Sequence, residues 1–278
     1  MILSGKAKLA GVFGWPVGHS RSPKLHGFWI EQHRIDGAYV PLSVRPEDFA
    51  YALRALPRMG FAGANVTIPH KQTALALADH VEPLARRIGA VNTLVVREDG
   101  SIEGRNTDAF GFLENLRHAV PDFSAATGVS VVIGAGGAAR AVAAALLDDG
   151  APRVRLINRT RSRAVEVAEA LGGPIEVVDW EDRAEALAGS NLLVNTTSLG
   201  MTGQPPLDLA LDALPRDALV TDIVYVPLET PLLLQARLRG HRTVDGLGML
   251  LHQARPGFLA WFGVMPAVTD ELRRFVES

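Results

Sequence analysis

The sequence predicts an α/β protein built from two domains, and three observations lead to this prediction. At 278 residues the chain is long for a single hydrophobic core, so two domains fit it better. Short apolar runs alternate with segments of helical periodicity, which is typical of mostly parallel, layered sheets. In mid-chain, the apolar run 131–133 ends in glycines and opens into the alanine-rich segment 138–147, which indicates a strand, a turn and a helix.

The first half of the chain contains the elements of one predicted domain. Apolar runs predict strands at residues 9–13, 39–44 and 63–66, and a hairpin with strands at 93–97 and 101–103. Apolar residues at helical spacing predict helices at 24–33, 46–59, 72–78 and 82–88. Ser22 is expected to cap the first helix, because serine followed by proline is typical of a helix N-terminus.

A helix that starts within residues 104–108 and a polar link at 121–128 lead into the second half. After the strand near residue 130, strands are predicted at 153–157, 175–178, 192–195, 219–223 and 243–244, with helices following residue 158 and at 231–239. The C-terminus is predicted to be helical at 249–255, 258–262 and 268–276. Pro256 and Gly257 are expected to break or kink this stretch, since proline lacks a backbone N–H.

The mid-chain turn has the pattern of a dinucleotide-binding fold. Gly134 permits a tight turn, Gly136 lets a pyrophosphate approach the backbone, and the small Ala139 occupies the third position of the fingerprint. Free N–H groups at the start of the next helix would face the phosphates. This predicts a Rossmann-type cofactor domain at residues 105–241. Residues 1–104 and 242–278 would then form a substrate-binding domain, with a cleft between the two.

The residues after the next strand indicate which dinucleotide is bound. NAD-binding folds place an acidic residue about 20 positions beyond the glycines, to hold the ribose 2′-hydroxyl. Here that position is Asn158, and no acid is present. Arg159 and Arg163 are four residues apart, so they are expected on one helix face, where two guanidinium groups would clamp a 2′-phosphate. A solvated basic face is the alternative, but the missing acid favours NADP(H).

Composition excludes several other classes of protein. The net charge of −2 does not favour nucleic acid or an anionic membrane as a partner. The absence of cysteine excludes disulfides, thiolate metal sites and a cysteine nucleophile, and the eight histidines lack metal-binding spacing. The N-terminus has no apolar signal region, and the apolar runs are too short to span a bilayer. We therefore expect a cytoplasmic protein without a metal.

Polar motifs outside the glycine turn each have an ordinary explanation when taken alone, as caps, turns or solvated residues. They follow one order along the chain: Ser20-x-Ser22-Pro23, Asn65-Val66-Thr67-x-Pro69-x-Lys71, Gly89-Ala90-Val91-Asn92-Thr93, Asn106-Thr107-Asp108, Asn158-Arg159-Thr160, Asp222-x-x-Tyr225, and Asp245-Gly246-Leu247-Gly248 followed by Gln253. As an ordered set around one glycine turn, they resemble the shikimate dehydrogenase family from about residue 9 to about residue 262.

The resemblance implies NADP(H)-dependent interconversion of 3-dehydroshikimate and shikimate, in aromatic amino acid biosynthesis, with Lys71 and Asp108 as the catalytic pair. It implies substrate contacts from Ser20, Ser22, Thr67, Asn92, Asp108, Tyr225 and Gln253. It implies cofactor contacts from Gly134, Ala135, Gly136, Gly137, Ala138, Asn158, Arg159, Thr160, Arg163, Ile223 and Gly246. The chain departs from the family pattern at Gly27, where asparagine usually follows the histidine.

The chemistry of the residues agrees with this assignment. Reduction of a ketone needs a proton for the oxygen, and a lysine oriented by an aspartate can donate it. One alternative is a quinate/shikimate dehydrogenase of broader substrate use with NAD, against which Ser20 and the 158–160 motif count. A second is a non-catalytic binding relative, which predicts loss of the Lys71–Asp108 pair. A third alternative is the folate dehydrogenase branch, which the turn with two serines, Ser20 and Ser22, does not suit. The chain is expected to be a monomer or a homodimer.

Overall fold

The computed structural model describes residues 2–278, and these residues form two compact units. Unit 1 consists of residues 2–107 together with Leu251–Ser278, and unit 2 is Asp108–Leu250. The domains predicted from the sequence have their boundaries at 104/105 and 241/242. The second boundary lies further along the chain because residues 242–244 pair with a strand of unit 2.

Unit 1 contains a six-stranded mixed sheet within the described residues. Its strands are β1 (Lys8–Gly14), β2 (Gly37–Ser43), β3 (Phe61–Val66), β4 (His80–Val81), β5 (Thr93–Val96) and β6 (Ile102–Arg105), in the order β2-β1-β3-β5-β6-β4. β1 is parallel to both β2 and β3, while β5 is antiparallel to β3 and β6. The helices of its first segment are α1 (Ser22–Gln32), α2 (Phe49–Ala55), α3 (Lys71–Leu77) and α4 (Pro83–Ile88).

Two helix predictions in unit 1 are wrong in detail. The helix expected at residues 46–59 is divided: only α2 is α-helical, with short 3₁₀ turns at Pro46–Asp48 and Pro57–Met59. Pro57 lacks an N–H, and Gly60 then ends the segment with a left-handed backbone at φ 75°. Ser22 is also not the cap, because α1 begins at Ser22 and Arg21 occupies the N-cap position without a side-chain cap bond.

Unit 2 is a parallel six-stranded sheet in the part of the chain that is described. Its strands are β7 (Val129–Ile133), β8 (Val154–Ile157), β9 (Ile175–Val178), β10 (Ser190–Asn195), β11 (Leu219–Asp222) and β12 (Arg242–Val244), in the order β12-β11-β10-β7-β8-β9. Its helices are α5 (Asp108–Ala119), α6 (Gly137–Asp148), α7 (Arg161–Leu171) and α8 (Pro231–Leu238). The strand order reverses between β7 and β10, which is the switch point where such sheets bind ligands.

The chain returns to unit 1 within α9 (Leu247–Phe262) and ends with α10 (Asp270–Glu277). Of the expected break or kink at Pro256, the break is wrong, since α9 continues through the proline. Buried side chains on both sides of the proline, Ala254 and Phe258, keep one face of the helix packed. The indole of Trp261 also donates to the Leu94 carbonyl at 2.9 Å, which holds α9 against β5.

Candidate active site

The side chain of Asn92, just before β5, is the centre of a polar network in unit 1. Its Oδ1 accepts the Thr107 backbone N–H at 2.9 Å and the Thr93 hydroxyl at 3.0 Å. Its Nδ2 lies 3.5 Å from Oε1 of Gln253, which also accepts the Thr107 hydroxyl at 3.3 Å. Asn92 and Gln253, 161 residues apart in sequence, are thus brought together by the packing of α9 onto the sheet.

The network extends under the strand ends through Asn65, the fifth residue of β3. Nδ2 of Asn65 donates to the Thr93 hydroxyl and to the Asn92 carbonyl, both at 3.1 Å. Its Oδ1 accepts the Tyr39 hydroxyl at 2.7 Å. All of these side chains are buried, and each oxygen or nitrogen in the chain of contacts has a partner. A network satisfied in this way holds its members rigidly.

Ser20 and Ser22 lie at the start of α1. Ser22 is buried, and its hydroxyl lies near that of Tyr39. Burial raises the pKa of Tyr39 well above its ordinary value, and the nearby Ser22 hydroxyl partly opposes this. The Ser22 backbone N–H donates to the Ser20 hydroxyl oxygen at 3.3 Å. The two serines therefore lie beside the Tyr39 end of the network that contains Asn65.

Lys71 is the first residue of α3, where the chain leaves β3. Its carbonyl accepts the Val91 N–H at 3.0 Å, and the Thr67 carbonyl accepts the His70 N–H at 2.9 Å. The buried His70 ring stacks on Phe49 at 4.3 Å and bonds to the Val44 carbonyl at 2.8 Å. Burial lowers the pKa of His70, partly offset by that bond. These contacts fix the backbone from which the Lys71 side chain extends.

Asp108, the other residue of the predicted catalytic pair, is the first residue of α5 and belongs to unit 2. It is buried and lies in the first turn of a helix, a place where the helix dipole favours acidic side chains. The preceding residue, Thr107, belongs to the network of Asn92. The pairing of Lys71 with Asp108 stays a prediction.

The glycine turn of unit 2 has the geometry that phosphate binding requires. Gly134 has φ 118°, and a Cβ on it would lie 2.5 Å from the Thr196 hydroxyl oxygen, so only glycine fits. Gly136 is the N-cap of α6 with extended backbone, followed by Gly137 and Ala138. Gly136 and Gly137 are exposed, and apart from their chain neighbours and the backbone of α6 itself, no heavy atom of residues 2–278 lies within 4 Å of a Cβ added to either. Backbone N–H groups of the first turn are therefore accessible to an anion.

The basic residues after β8 are arranged differently from the prediction. Thr160 is the N-cap and α7 begins at Arg161, so Arg159 precedes the helix and the expected shared helix face with Arg163 is wrong. Arg161 is paired with Asp179 at 2.6 Å. Arg159 and Arg163 are exposed and form no ion pair within residues 2–278. Two cations thus remain at the end of β8, where Asn158 bonds to the Thr160 carbonyl at 2.8 Å.

Ile223 and Tyr225 follow β11 directly, at the same carboxyl edge of the sheet as Gly134. Asp222 at the strand end is fully buried. Gly246 approaches Ile223 so closely that a Cβ on it would overlap the Ile223 carbonyl oxygen. The fold of unit 2 therefore brings together three of the predicted cofactor contacts, Gly134, Ile223 and Gly246.

The structure adds residues to the site that the sequence prediction had not assigned: Tyr39, Asn65, Thr93, Thr107 and Asp222. Three of these residues belong to motifs already noted: Asn65, Thr93 and Thr107. A polar side chain at the end of a buried strand was the sequence signal by which they could have been assigned to the site. Tyr39 had no such signal, because its partner Asn65 comes from a distant segment.

Within residues 2–278, no group of three acidic or histidine side chains is placed to hold a metal. None of the helices in this range has the length and apolar character needed to cross a membrane.

Comparison with known proteins gives matches over both units. Residues 12–94 match the family model described as shikimate dehydrogenase substrate binding domain, and residues 117–201 match that of shikimate / quinate 5-dehydrogenase. The chain is 66% identical over 276 residues to the shikimate dehydrogenase (NADP(+)) of Paramagnetospirillum magneticum, which covers 99% of this chain and 100% of the relative.

Solved structures of similar proteins have the same fold. Shikimate 5-dehydrogenase from Thermus thermophilus, in complex with NADP(H) and shikimate, is 37% identical with a TM-score of 0.85 over 97% of each chain. Quinate dehydrogenase from Corynebacterium glutamicum, in complex with NAD, is 31% identical with a TM-score of 0.89 over 98% of each chain.

Proposed function

Because the chain belongs to the shikimate dehydrogenase family, we propose that it interconverts 3-dehydroshikimate and shikimate with NADP(H). The observation that carries the proposal is the network of neutral hydroxyl and amide groups in unit 1, which runs from Tyr39 through Asn65 to Gln253. Such groups provide the donors and acceptors that a polyhydroxylated ring acid needs. In this assignment unit 1 binds the substrate and unit 2 binds the cofactor.

The substrate contacts are proposed to be Ser20, Ser22, Thr67, Asn92, Asp108, Tyr225 and Gln253. The two serines would hold the ring carboxylate with their hydroxyl groups, and the amides of Asn92 and Gln253 would hold ring hydroxyls. The bonds of Asn92 and Gln253 to each other and to Thr107 orient these two amides before the substrate arrives, so little of their entropy is lost on binding.

Unit 2 fits NADP(H) through two features of its own residues. The accessible first turn of α6, with Gly134, Ala135, Gly136, Gly137 and Ala138, suits the pyrophosphate. Arg159 and Arg163, with Asn158 and Thr160 beside them, suit a 2′-phosphate because their guanidinium groups have no ion pair within residues 2–278. Ile223 and Gly246 are proposed as further cofactor contacts. Bound NADPH supplies the hydride.

In the proposed mechanism, Lys71 handles the proton and Asp108 orients it. As the substrate carbonyl carbon gains a hydride, the Lys71 ammonium donates a proton to the carbonyl oxygen, and shikimate oxidation returns that proton to Lys71. Asp108 keeps the ammonium aimed at this oxygen and contacts a substrate hydroxyl. Positioned proton transfer of this kind contributes about 10²–10⁴-fold to rate.

Two alternatives remain to be separated by experiment. A quinate/shikimate dehydrogenase that uses NAD would have the same fold, as the similar quinate dehydrogenase illustrates. The unpaired arginines at the end of β8 favour NADP(H) instead. A non-catalytic relative would have lost the catalytic pair, whereas Lys71 and Asp108 are both present.

The test is a direct assay of the purified, folded chain with shikimate and NADP⁺. We expect NADPH formation at 340 nm, with 3-dehydroshikimate identified by mass spectrometry as a product two mass units lighter. No turnover by folded protein would overturn the proposal. We further propose that the enzyme acts in the cytoplasm as a monomer or a homodimer, and light scattering at assay concentration distinguishes the two states.

A further inference from the structure

Asp222 is a buried carboxylate that the proposed mechanism does not use. It ends β11, lies in register with Asn195 at the end of β10, and has no exposed surface. Its Oδ1 accepts the Asn195 amide at 3.1 Å and the Val224 N–H at 3.0 Å, and its Oδ2 accepts the Thr230 hydroxyl at 2.7 Å. One side chain thus joins two strand ends and the loop that follows β11.

The Asn195 side chain carries these contacts into the neighbouring loop. Its Oδ1 accepts both the backbone N–H and the hydroxyl of Thr197, at 3.0 and 2.8 Å. Its Nδ2 also donates to the Leu199 carbonyl at 3.1 Å. Thr196 lies between Asn195 and Thr197 in the sequence. Its hydroxyl donates to the Ile133 carbonyl at 2.6 Å and lies against Gly134. The cluster is therefore continuous with the glycine turn across the switch point.

On its other side, Asp222 fixes both ends of the loop that carries Ile223 and Tyr225. Val224 is held by its N–H near the start of the loop, and Thr230 is held by its hydroxyl at the end, where it also caps α8. The Ile223 N–H donates to the Asn195 carbonyl at 3.1 Å. With Gly246 packed against the Ile223 carbonyl, this loop has little freedom to move.

Burial makes this carboxylate unfavourable on its own. Burial raises the pKa of Asp222, and the bonds from Thr230, Val224 and Asn195 oppose that rise only in part. An apolar side chain would pack in such an interior without a desolvation penalty. The value of a carboxylate at this position lies in accepting several hydrogen bonds at once, which an apolar residue cannot do.

We propose that Asp222 is a positioning residue, which through Asn195, Val224 and Thr230 sets Ile223 in place to contact the cofactor and Tyr225 in place to contact the substrate. This inference rests on the proposed function. Asp222 acts through its neighbours and touches no reacting atom. Displacement of such contacts by about 1 Å is enough to cost on the order of 100-fold in rate.

The test compares Asp222→Asn with Asp222→Ala. The asparagine keeps an oxygen for Asn195 and Val224, and its Nδ2 can donate to the Thr230 hydroxyl. We expect Asp222→Ala to raise the KM for both NADP⁺ and shikimate at least about tenfold, because contacts are misplaced. The KM values of Asp222→Asn should stay within about twofold of those of the unsubstituted protein, since the same groups remain hydrogen-bonded. Thr221→Val, which alters a neighbouring hydroxyl of β11, is the matched control.

Cofactor binding is also measured without turnover, by titrating NADPH fluorescence, so that failure of the proposed function is distinguished from failure of this inference. Weaker NADPH binding by Asp222→Ala supports the inference even if shikimate is not the substrate. Unchanged KM values and NADPH affinity in folded Asp222→Ala, or an Asp222→Asn variant as impaired as the alanine, overturn it. If Asp222→Ala does not fold, Thr230→Val removes one donor to Asp222 together with the cap of α8, and Thr230→Ser, which keeps both, is its control. Thr230→Val should then raise the KM for NADP⁺ relative to Thr230→Ser, and an unchanged value overturns the inference.

Discussion

Gly246 packs against Ile223 so closely that any Cβ at position 246 would overlap the Ile223 carbonyl oxygen. Gly246→Ala must therefore push the loop after β11 or the start of α9 out of place. We expect a loss of roughly 1–3 kcal/mol in unfolding free energy, as for other overpacked sites. The KM for NADP⁺ should rise at least about tenfold, because Ile223 is misplaced.

Steady-state kinetics and urea unfolding check the Gly246 prediction. Gly27→Ala is the matched control, because Gly27 is exposed on α1 and nothing in residues 2–278 lies within 4 Å of an added Cβ. That control should keep its activity and gain about 0.5–1 kcal/mol, since alanine is favoured over glycine in a helix. If the KM and the unfolding free energy of Gly246→Ala matched those of this control, close packing against Ile223 would not be what requires glycine at position 246.

Cofactor choice should depend on Arg159 and Arg163. Replacing both by glutamine removes the two unpaired cations at the end of β8, and charge-assisted bonds are worth about 1.5–3 kcal/mol each. We therefore expect the KM for NADP⁺ to rise more than about tenfold while the KM for NAD⁺ changes less than about twofold. Arg161→Gln is the control, because that arginine is paired with Asp179. Equal losses for the two cofactors would refute the assignment.

Lys71 is predicted to transfer a proton and not merely to supply charge. Lys71→Ala should lower kcat by about 10²–10⁴-fold with a change of a few-fold at most in the KM for shikimate. Lys71→Arg should be similarly slow, because arginine keeps its proton at neutral pH. Gln72→Ala, on the same helix and exposed, is the control. Recovery of most of the rate by arginine would show that charge alone is sufficient.

His26 should make the folded chain sensitive to acid. It is buried among aromatic rings, stacked on Tyr39 at 4.0 Å, and neither ring nitrogen makes a hydrogen bond of ordinary length within residues 2–278. Burial lowers its pKa from 6.5 to about 3, although the nearby Asn65 side chain partly offsets this. Below pH 6.5 the unfolded chain binds a proton that the folded chain does not, so stability falls as the pH drops from 6.5 towards 3.

The titration of His26 alone changes the free energy of unfolding by at most about 1.4 kcal/mol per pH unit. His26→Phe keeps an aromatic ring in the stack and removes the titration. We expect the difference in unfolding free energy between the two proteins to grow in favour of the phenylalanine variant as the pH is lowered. Urea unfolding at several pH values, followed by tryptophan fluorescence, measures it. A difference that is constant with pH would contradict the prediction.

Local patterns were enough to predict the parts of the fold that depend on neighbouring residues. The strand, glycine turn and helix around Gly134 were predicted because each signal lies within a few positions of the next. Errors occurred where packing overrides propensity. Pro256 lies inside a continuous helix whose buried face spans it, and the buried Ser22 is already the first residue of α1, so it does not cap that helix.

The site was predicted less completely than the fold, for a related reason. The roles of Tyr39 and Asp222 depend on contacts between segments far apart in sequence. Asp222 bonds to Asn195 because β10 and β11 lie side by side in register, and no sequence spacing shows that register. Likewise, α7 begins at Arg161, directly after Thr160, so Arg159 lies before the helix. The four-residue spacing between Arg159 and Arg163 does not by itself show where the helix begins.

The central claim is tested most directly by measuring kcat/KM for four pairs in one preparation: shikimate or quinate, each with NADP⁺ or NAD⁺. We predict that shikimate with NADP⁺ exceeds each other pair by at least about tenfold, which corresponds to 1.4 kcal/mol of transition-state discrimination. A higher value for quinate with NAD⁺, or no turnover with any pair by folded protein, would contradict the account.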